Sequence, residues 1–213
     1  MHHTLIIASS LLLLASCKKD DNDCPELIPE PAAYSTAEFA PFKPGSWWVY
    51  TGVNIDPITG IETPNNIRDS IYVQQDSVIG GQTYAWLKGM RFASLGFSRF
   101  VRVDGARLVS ENGTPWLDIE AVSDTVHVSP GAGPIDSIAT VLAAQDLDLN
   151  TPIGVLTSEH VRDLVFFMEP GFINPLHERE HHVRHIGIGA YSSYYAGSGI
   201  AVEMRLTSYH LEQ

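Results

Sequence analysis

The chain has 213 residues, with 13 Lys and Arg against 25 Asp and Glu and a net charge of −12 when His is neutral. That balance repels phosphate backbones, so it argues against a nucleic-acid partner, and it repels anionic membrane surfaces too. The two cysteines, Cys17 and Cys24, give no disulfide framework and no C-x-x-C pair.

The N-terminus reads MHHTLIIASSLLLLASCKKDD. Leu5 to Ala15 is an apolar run broken only by Ser9 and Ser10. As a helix it would span about 16 Å, roughly half a bilayer core, which suits a signal-peptide h-region and is too short for a membrane span. Leu14-Ala15-Ser16-Cys17 resembles the lipobox of bacterial lipoproteins. The resemblance implies cleavage after residue 16 and covalent diacylglycerol and acyl attachment at Cys17. One feature departs from the pattern: the n-region carries His2 and His3 but no Lys or Arg. Lys18-Lys19-Asp20-Asp21 resembles the tag that follows the lipidated cysteine in surface-exported lipoproteins of Bacteroidetes-type bacteria. The address implied is the outer membrane, lipid-anchored and facing the cell surface. Two or three acyl chains hold a protein stably where one does not.

Residues 17–44 read as a lipidated, disordered tether. Pro25, Pro29, Pro31, Pro41 and Pro44 favour extended segments and cannot join a strand ladder. Cys24 lies within it. Residues 45–213 form one antiparallel β domain, long enough to bury a core without staples.

Within that domain "SWWVYTGVN" is aromatic and β-branched, as strands are. "IRDSIYVQ" puts Ile67, Ile71 and Val73 on one face together with Asp69. "DSVIGGQTYAWLKG" predicts a hairpin at Gly80-Gly81, and "RFVRVDGARLVSEN" a second at Asp104-Gly105. In the second, Arg99, Val101 and Val103 alternate with Phe100 and Arg102. "TPWLDIEAVSDTVHV" continues the meander to a turn at Ser129-Pro130-Gly131. Residues 136–145 fit a short helix or a strand equally well. The last run places Ile200, Val202, Met204 and Leu206 on one face and Ala201, Glu203, Arg205 and Thr207 on the other. No stretch sustains a 3.6-residue period. The expected fold is therefore all-β, mainly antiparallel: one curved sheet or half-barrel meander of about ten strands, with one or two short helices.

These landmarks resemble a loose group of uncharacterised Bacteroidetes-type lipoproteins from Phe42 to the C-terminus. The carriers are the opening Pro44-Gly45-Ser46-Trp47-Trp48-Val49-Tyr50, "DSVIGGQTY", "VRVDGARLVSENG", Gly187-Ile188-Gly189, and Leu206-Thr207-Ser208-Tyr209. The resemblance implies a curved sheet like those of periplasmic lipid carriers, and it brings no activity.

One stretch carries a catalytic motif. His177-Glu178-Arg179-Glu180-His181 satisfies H-E-x-x-H, the zinc motif of many metalloproteases. On a helix His177 and His181 would lie about 6 Å apart along the axis and share a metal, with Glu178 activating its water. On a strand they are about 13 Å apart and cannot share one. Asn174 and Pro175 offer a helix start, but only Leu176 and Val183 would face a core. Glu203 and His210 are the available third ligands, neither in a downstream motif, and Arg184 stands where the extended pattern wants Gly. A charged strand or loop is the expected state, with neither metal nor catalytic residue.

Other patterns are weaker. Asp146-Leu147-Asp148-Leu149-Asn150 opens like a calcium loop but lacks its Gly and Glu, so an exposed strand with Leu147 and Leu149 inward is expected. Gly197-Ser198-Gly199 has the wrong spacing for a nucleophile elbow and reads as a turn. Trp47, Trp48, Trp86 and Trp116 would either line a glycan or lipid groove or fill the core.

The expected function is that of a non-enzymatic binding or structural module of the cell envelope, with no cofactor beyond the lipid anchor. Its candidate partners are an envelope protein, a glycan or a lipid. Two alternatives are carried: a carrier of a lipid or other apolar ligand in a half-barrel cavity, and a zinc hydrolase using residues 177–181.

Overall fold

The computed structural model describes residues 34–93, 95–131, 135–168, 172–173, 177–194 and 201–213. Cys17, Cys24, Asn174, Pro175 and the Gly197-Ser198-Gly199 turn lie outside them, as does Ile200. After a 3-10 turn at Thr36–Phe39 come β1 (Trp47–Ile55), β2 (Glu62–Ile79), β3 (Gln82–Arg91), β4 (Leu95–Asp104), β5 (Arg107–Ser110) and β6 (Pro115–Asp118). Then follow β7 (Ser123–Pro130), β8 (Ile135–Thr151), β9 (Gly154–Met168), β10 (Phe172–Ile173), β11 (Glu178–Val183), β12 (Gly187–Tyr194) and β13 (Ala201–His210). Residues 136–145 are strand, inside β8.

Every pairing is antiparallel, as the alternating patterns predict. The sheet runs β6-β5-β4-β3-β2-β1-β13-β12-β11-β9-β8-β7, with β10 added to β9. The hairpins at Gly80-Gly81 and after Asp104 form as expected. The simple meander from β6 into β7 does not: these consecutive strands occupy opposite ends of the sheet. Only Ile119–Val122 joins them, and five residue steps span at most ~18 Å. So short a link forces the sheet to curl until its ends meet. The Ala144 N–H donating to the Ala121 carbonyl at 3.1 Å fastens the seam. The result is a nearly closed, barrel-like sheet.

Inward-facing positions fill the interior. In β13, Val202, Met204 and Leu206 are buried, as the pattern predicts. Trp48, Tyr50, Ile71, Val73, Leu87, Val101 and Leu108 join them from the opposite half. The β2–β3 pair is held close by Gly89, where a Cβ would lie 1.9 Å from the Ser70 carbonyl oxygen. Backbone cannot swing aside as a side chain can. Gly89→Ala is therefore expected to lose roughly 1–3 kcal/mol of stability, read by urea unfolding. A variant as stable as wild type would disprove the close approach.

The boundary expected between residues 44 and 45 falls inside the folded unit. Tyr34 to Ser46 forms a strap across one end of the barrel. Phe39 is 0% exposed and Phe42 is buried between Trp48 and Trp116, with ring centroids 5.7 and 6.0 Å away. The Thr36 hydroxyl donates to the Gly105 carbonyl (3.0 Å), and the His185 N–H donates to the Glu38 carbonyl (2.6 Å). The strap thus ties the β4–β5 turn to the β11–β12 turn. Proline removes ladder donors, but it does not stop neighbouring aromatics from being buried.

A buried arginine cluster as the candidate functional site

The H-E-x-x-H residues fall on and just before strand β11, not on a helix. Strand alternation then separates them by face. His177, Arg179 and His181 point outward and line a cleft of about 390 Å³ with Asp148, Glu203 and Arg205. Glu178 points the other way, and its carboxylate accepts the Ser193 hydroxyl at 2.7 Å. His177 Nδ1 lies 2.9 Å from Asp163, roughly 13 Å along the strand from His181. The motif's metal ligands and its base are not brought together. His181 is buried, and burial lowers its pKa from the ordinary value.

The inward face of the same strand holds what the motif concealed. Glu180 is 3% exposed, and its carboxylate accepts the Trp116 indole N–H at 3.0 Å. Arg162, directly opposite on β9, approaches at 3.3 Å. Arg91 from the end of β3 and Arg99 from β4 reach across the barrel to 3.7 and 3.9 Å. Each guanidinium from the far wall lies over an aromatic face: Arg91 is 4.0 Å from the Tyr191 ring centre, and Arg99 is 4.5 Å from that of Trp116. Burial alone would push the Glu180 carboxyl up. Arg91, Arg99 and Arg162 outweigh it and hold the carboxyl far below the usual range. Burial pulls Arg99 down from its ordinary value, against the pull of Glu180.

The donors here outnumber the acceptors. Three guanidiniums carry fifteen N–H donors, whereas Glu180 offers two oxygens and shares them with Trp116. The Arg91 and Arg162 Nε atoms are buried without a hydrogen-bond partner. Another buried carboxylate, Asp69, is already engaged. It accepts the Tyr191 hydroxyl at 2.6 Å and the backbone N–H groups of Phe92 and Ala93. Burial, reinforced by the bond to Asp69, pushes the Tyr191 phenol well above its ordinary value.

Among the described residues, clefts of two sizes open onto the cluster. A cleft of about 250 Å³ is lined by Arg99, Arg162 and Trp116 on its inner side and by Ser98, Ser110, Glu111, Asn112 and Thr114 at its rim. A smaller one of about 40 Å³ touches Arg91, Arg162, Arg179 and Glu180. Deeper along the barrel, His160 and His182 face each other across β9 and β11. The Tyr34 hydroxyl of the strap lies 3.2 Å from His160 Nε2.

Solved structures with a similar strand arrangement include two from Bacteroidetes. One is a provisionally assigned exported protein with a YmcC-like fold from Bacteroides fragilis, 12% identical, covering 79% of this chain and 98% of that one, with a TM-score of 0.43. Another is a provisionally assigned lipoprotein from Parabacteroides distasonis, 9% identical, covering 80% and 97%, with a TM-score of 0.42. No protein-family model and no curated protein matches the chain. The likeness concerns the arrangement of strands, and no residue's role rests on it.

The remaining candidates separate. Trp48 and Trp116 are core. Trp47 is partly exposed and stacks on His210, and Trp86 stacks on Phe100, so the four tryptophans line no common groove. In β8, Leu149 is buried but Leu147 is 38% exposed, against the expectation that both point inward. Leu147 and Leu149 pair without a slip between them and share a face, and both line the cleft of about 390 Å³, where Leu147 is the less covered. Asp148 there accepts the Thr157 hydroxyl at 3.2 Å.

Proposed function

We propose that this protein is a lipid-anchored, non-enzymatic binding module of the outer membrane, held through Cys17 and facing the cell surface. The observation that carries the binding role is the buried arginine cluster opening onto the 250 Å³ cleft. A structural sheet gains little from three largely buried guanidiniums around one carboxylate, because apolar side chains would fill that space as well or better. The carrier alternative is less favoured, since Trp48, Tyr50, Leu87, Tyr191 and Met204 fill the interior that an acyl chain would need. The hydrolase alternative is less favoured because Glu178 and the two histidines lie on opposite faces of a strand. Support for the anchor is the h-region ending in Leu14-Ala15-Ser16-Cys17, with Lys18-Lys19-Asp20-Asp21 behind it.

The anchor is tested by palmitate labelling and membrane fractionation. Wild type is expected to take up label and to sediment with the outer membrane. Cys17→Ala is expected to lose the label and appear in the soluble fraction. Label retained in Cys17→Ala would refute the anchor, and a non-sedimenting wild type would refute the location.

A further inference from the structure

The arginine cluster points to a particular ligand chemistry. Among the described residues Glu180 is the one carboxylate within 4 Å of the three guanidiniums, which therefore outnumber their direct counter-ion. Asp69 and Glu178 keep their charges and offset part of the excess at longer range, but their oxygens are held by Tyr191 and two backbone N–H groups and by Ser193, and neither forms an ion pair with the three arginines. Glu111 lines the same cleft but is exposed at its rim, where water screens it. Arg99 and Arg162 line the cleft, and Arg99 makes no contact to Glu180 closer than 3.9 Å, so its donors are open to a ligand there; the unpaired Arg162 Nε is buried behind it.

We infer that the cleft between Arg99, Arg162 and Trp116 binds the phosphate group of a phosphorylated ligand. A phosphate monoester carries about −1.5 to −2 charges at neutral pH and three strong acceptor oxygens. That suits a cluster whose guanidinium donors outnumber the oxygens of its one direct counter-ion. A carboxylate brings one charge and two oxygens, fewer acceptors than a phosphate offers to the same donors. The guanidinium fork suits bidentate contact to phosphate oxygens, and Trp116 keeps Arg99 flat and oriented. Ser98, Ser110 and Thr114 place polar groups around the same opening. The remainder of the ligand would extend past them to solvent. This assignment rests on the binding role proposed above and gives it a ligand class.

The test is calorimetric titration of the full chain, purified in detergent, with inorganic phosphate and separately with acetate. Wild type is expected to bind one phosphate with a Kd of about 1 mM or tighter and acetate at least tenfold more weakly. Arg99→Gln leaves Arg162 and Trp116 on Glu180 and is expected to weaken phosphate binding about tenfold or more. Arg99→Lys keeps the charge without the fork and should fall between the two. Phosphate should also raise the melting temperature of wild type and not that of Arg99→Gln. Absence of saturable phosphate binding, equal binding of acetate, or unchanged affinity in both folded Arg99 variants would overturn the assignment. A protein that labels at Cys17 and sediments with the outer membrane but ignores phosphate would lose this ligand and keep its anchor. A protein that binds phosphate through Arg99 without taking up palmitate would do the reverse.

Discussion

Replacing Glu180 with glutamine is expected to destabilise the protein by about 3–5 kcal/mol. The substitution preserves shape and removes only the charge, so the loss reports electrostatics rather than a cavity. In wild type the carboxylate faces Arg91, Arg99 and Arg162 within 4 Å and accepts the Trp116 N–H. Glutamine leaves three largely buried guanidiniums together without a carboxylate within 4 Å. Urea unfolding at pH 7 measures the loss, and a change below about 1 kcal/mol would show that water or solvent anions already neutralise the cluster. The pH dependence follows from the same contacts. Because the folded carboxyl titrates well below its ordinary value of 4.5, the stabilisation is complete above that value. It drains away as the pH falls from about 4.5 toward the folded value. Glu180→Gln should remove this acid-side loss and leave behaviour above pH 5 to other groups. The phosphate assignment predicts one more effect. An occupied site adds negative charge beside the arginines, so saturating phosphate should rescue part of the stability of Glu180→Gln and rescue it more than it raises wild type.

Much of the barrel was legible in the sequence because its strands obey local rules. Glycine pairs at turns and strict alternation in the last strand depend on a few adjacent residues, and both hairpins and the buried face of β13 follow from them. Two features depend on distant partners and were not legible. The step from β6 to β7 looks like any short turn, and only the pairing of β6 with β5 and β7 with β8 reveals that it crosses a seam. The strap was hidden by composition: five prolines dominate residues 17–44, while the burial of residues 34–44 rests on Tyr34, Thr36, Phe39, Ala40 and Phe42.

The site was half legible. Parity already set Asp69 beside Ile71 and Val73, and Arg99 beside Val101, on faces that proved to be interior. A charge on an apolar face is the sequence signal of a buried ion pair, since such charges persist inside only when paired. The signal names the charged residues but not their partners. Arg162 and Glu180 are eighteen residues apart and meet only because β9 and β11 pair in one register. The H-E-x-x-H motif drew attention to the right strand for the wrong face: its outward residues spell the metal site, and its inward Glu180 does the binding of the arginines.

His182 offers the second large effect, and it lies in a different pH range. The ring is buried, packs edge-on against Trp116 at 5.6 Å, and has no hydrogen-bond partner on either nitrogen. Burial pushes its pKa down to about 3 from 6.5; His160, Arg162 and His181 add to that, and only Glu180 opposes it. Above pH 6.5 the ring is neutral in both states, and the fold is under no penalty. As the pH falls below 6.5 the unfolded chain takes up a proton that the folded ring refuses. Stability should then drop by up to about 1.4 kcal/mol per pH unit from this group alone, until the folded ring itself titrates. His160 and His181 are lowered by burial as well and act in the same direction. Between pH 6.5 and 4.5 Glu180 is silent, so the histidines set the slope there. His182→Leu removes one titrating group and two unpaired polar atoms while keeping an apolar contact for Trp116. It is expected to lie within about 1–2 kcal/mol of wild type at pH 7 and to lose stability less steeply on acidification, by close to one proton. Urea unfolding at pH 7, 6 and 5 gives both slopes. Parallel slopes would mean that His182 gains a proton without unfolding, and that the neighbouring Glu180 carboxylate holds it as an ion pair inside the barrel.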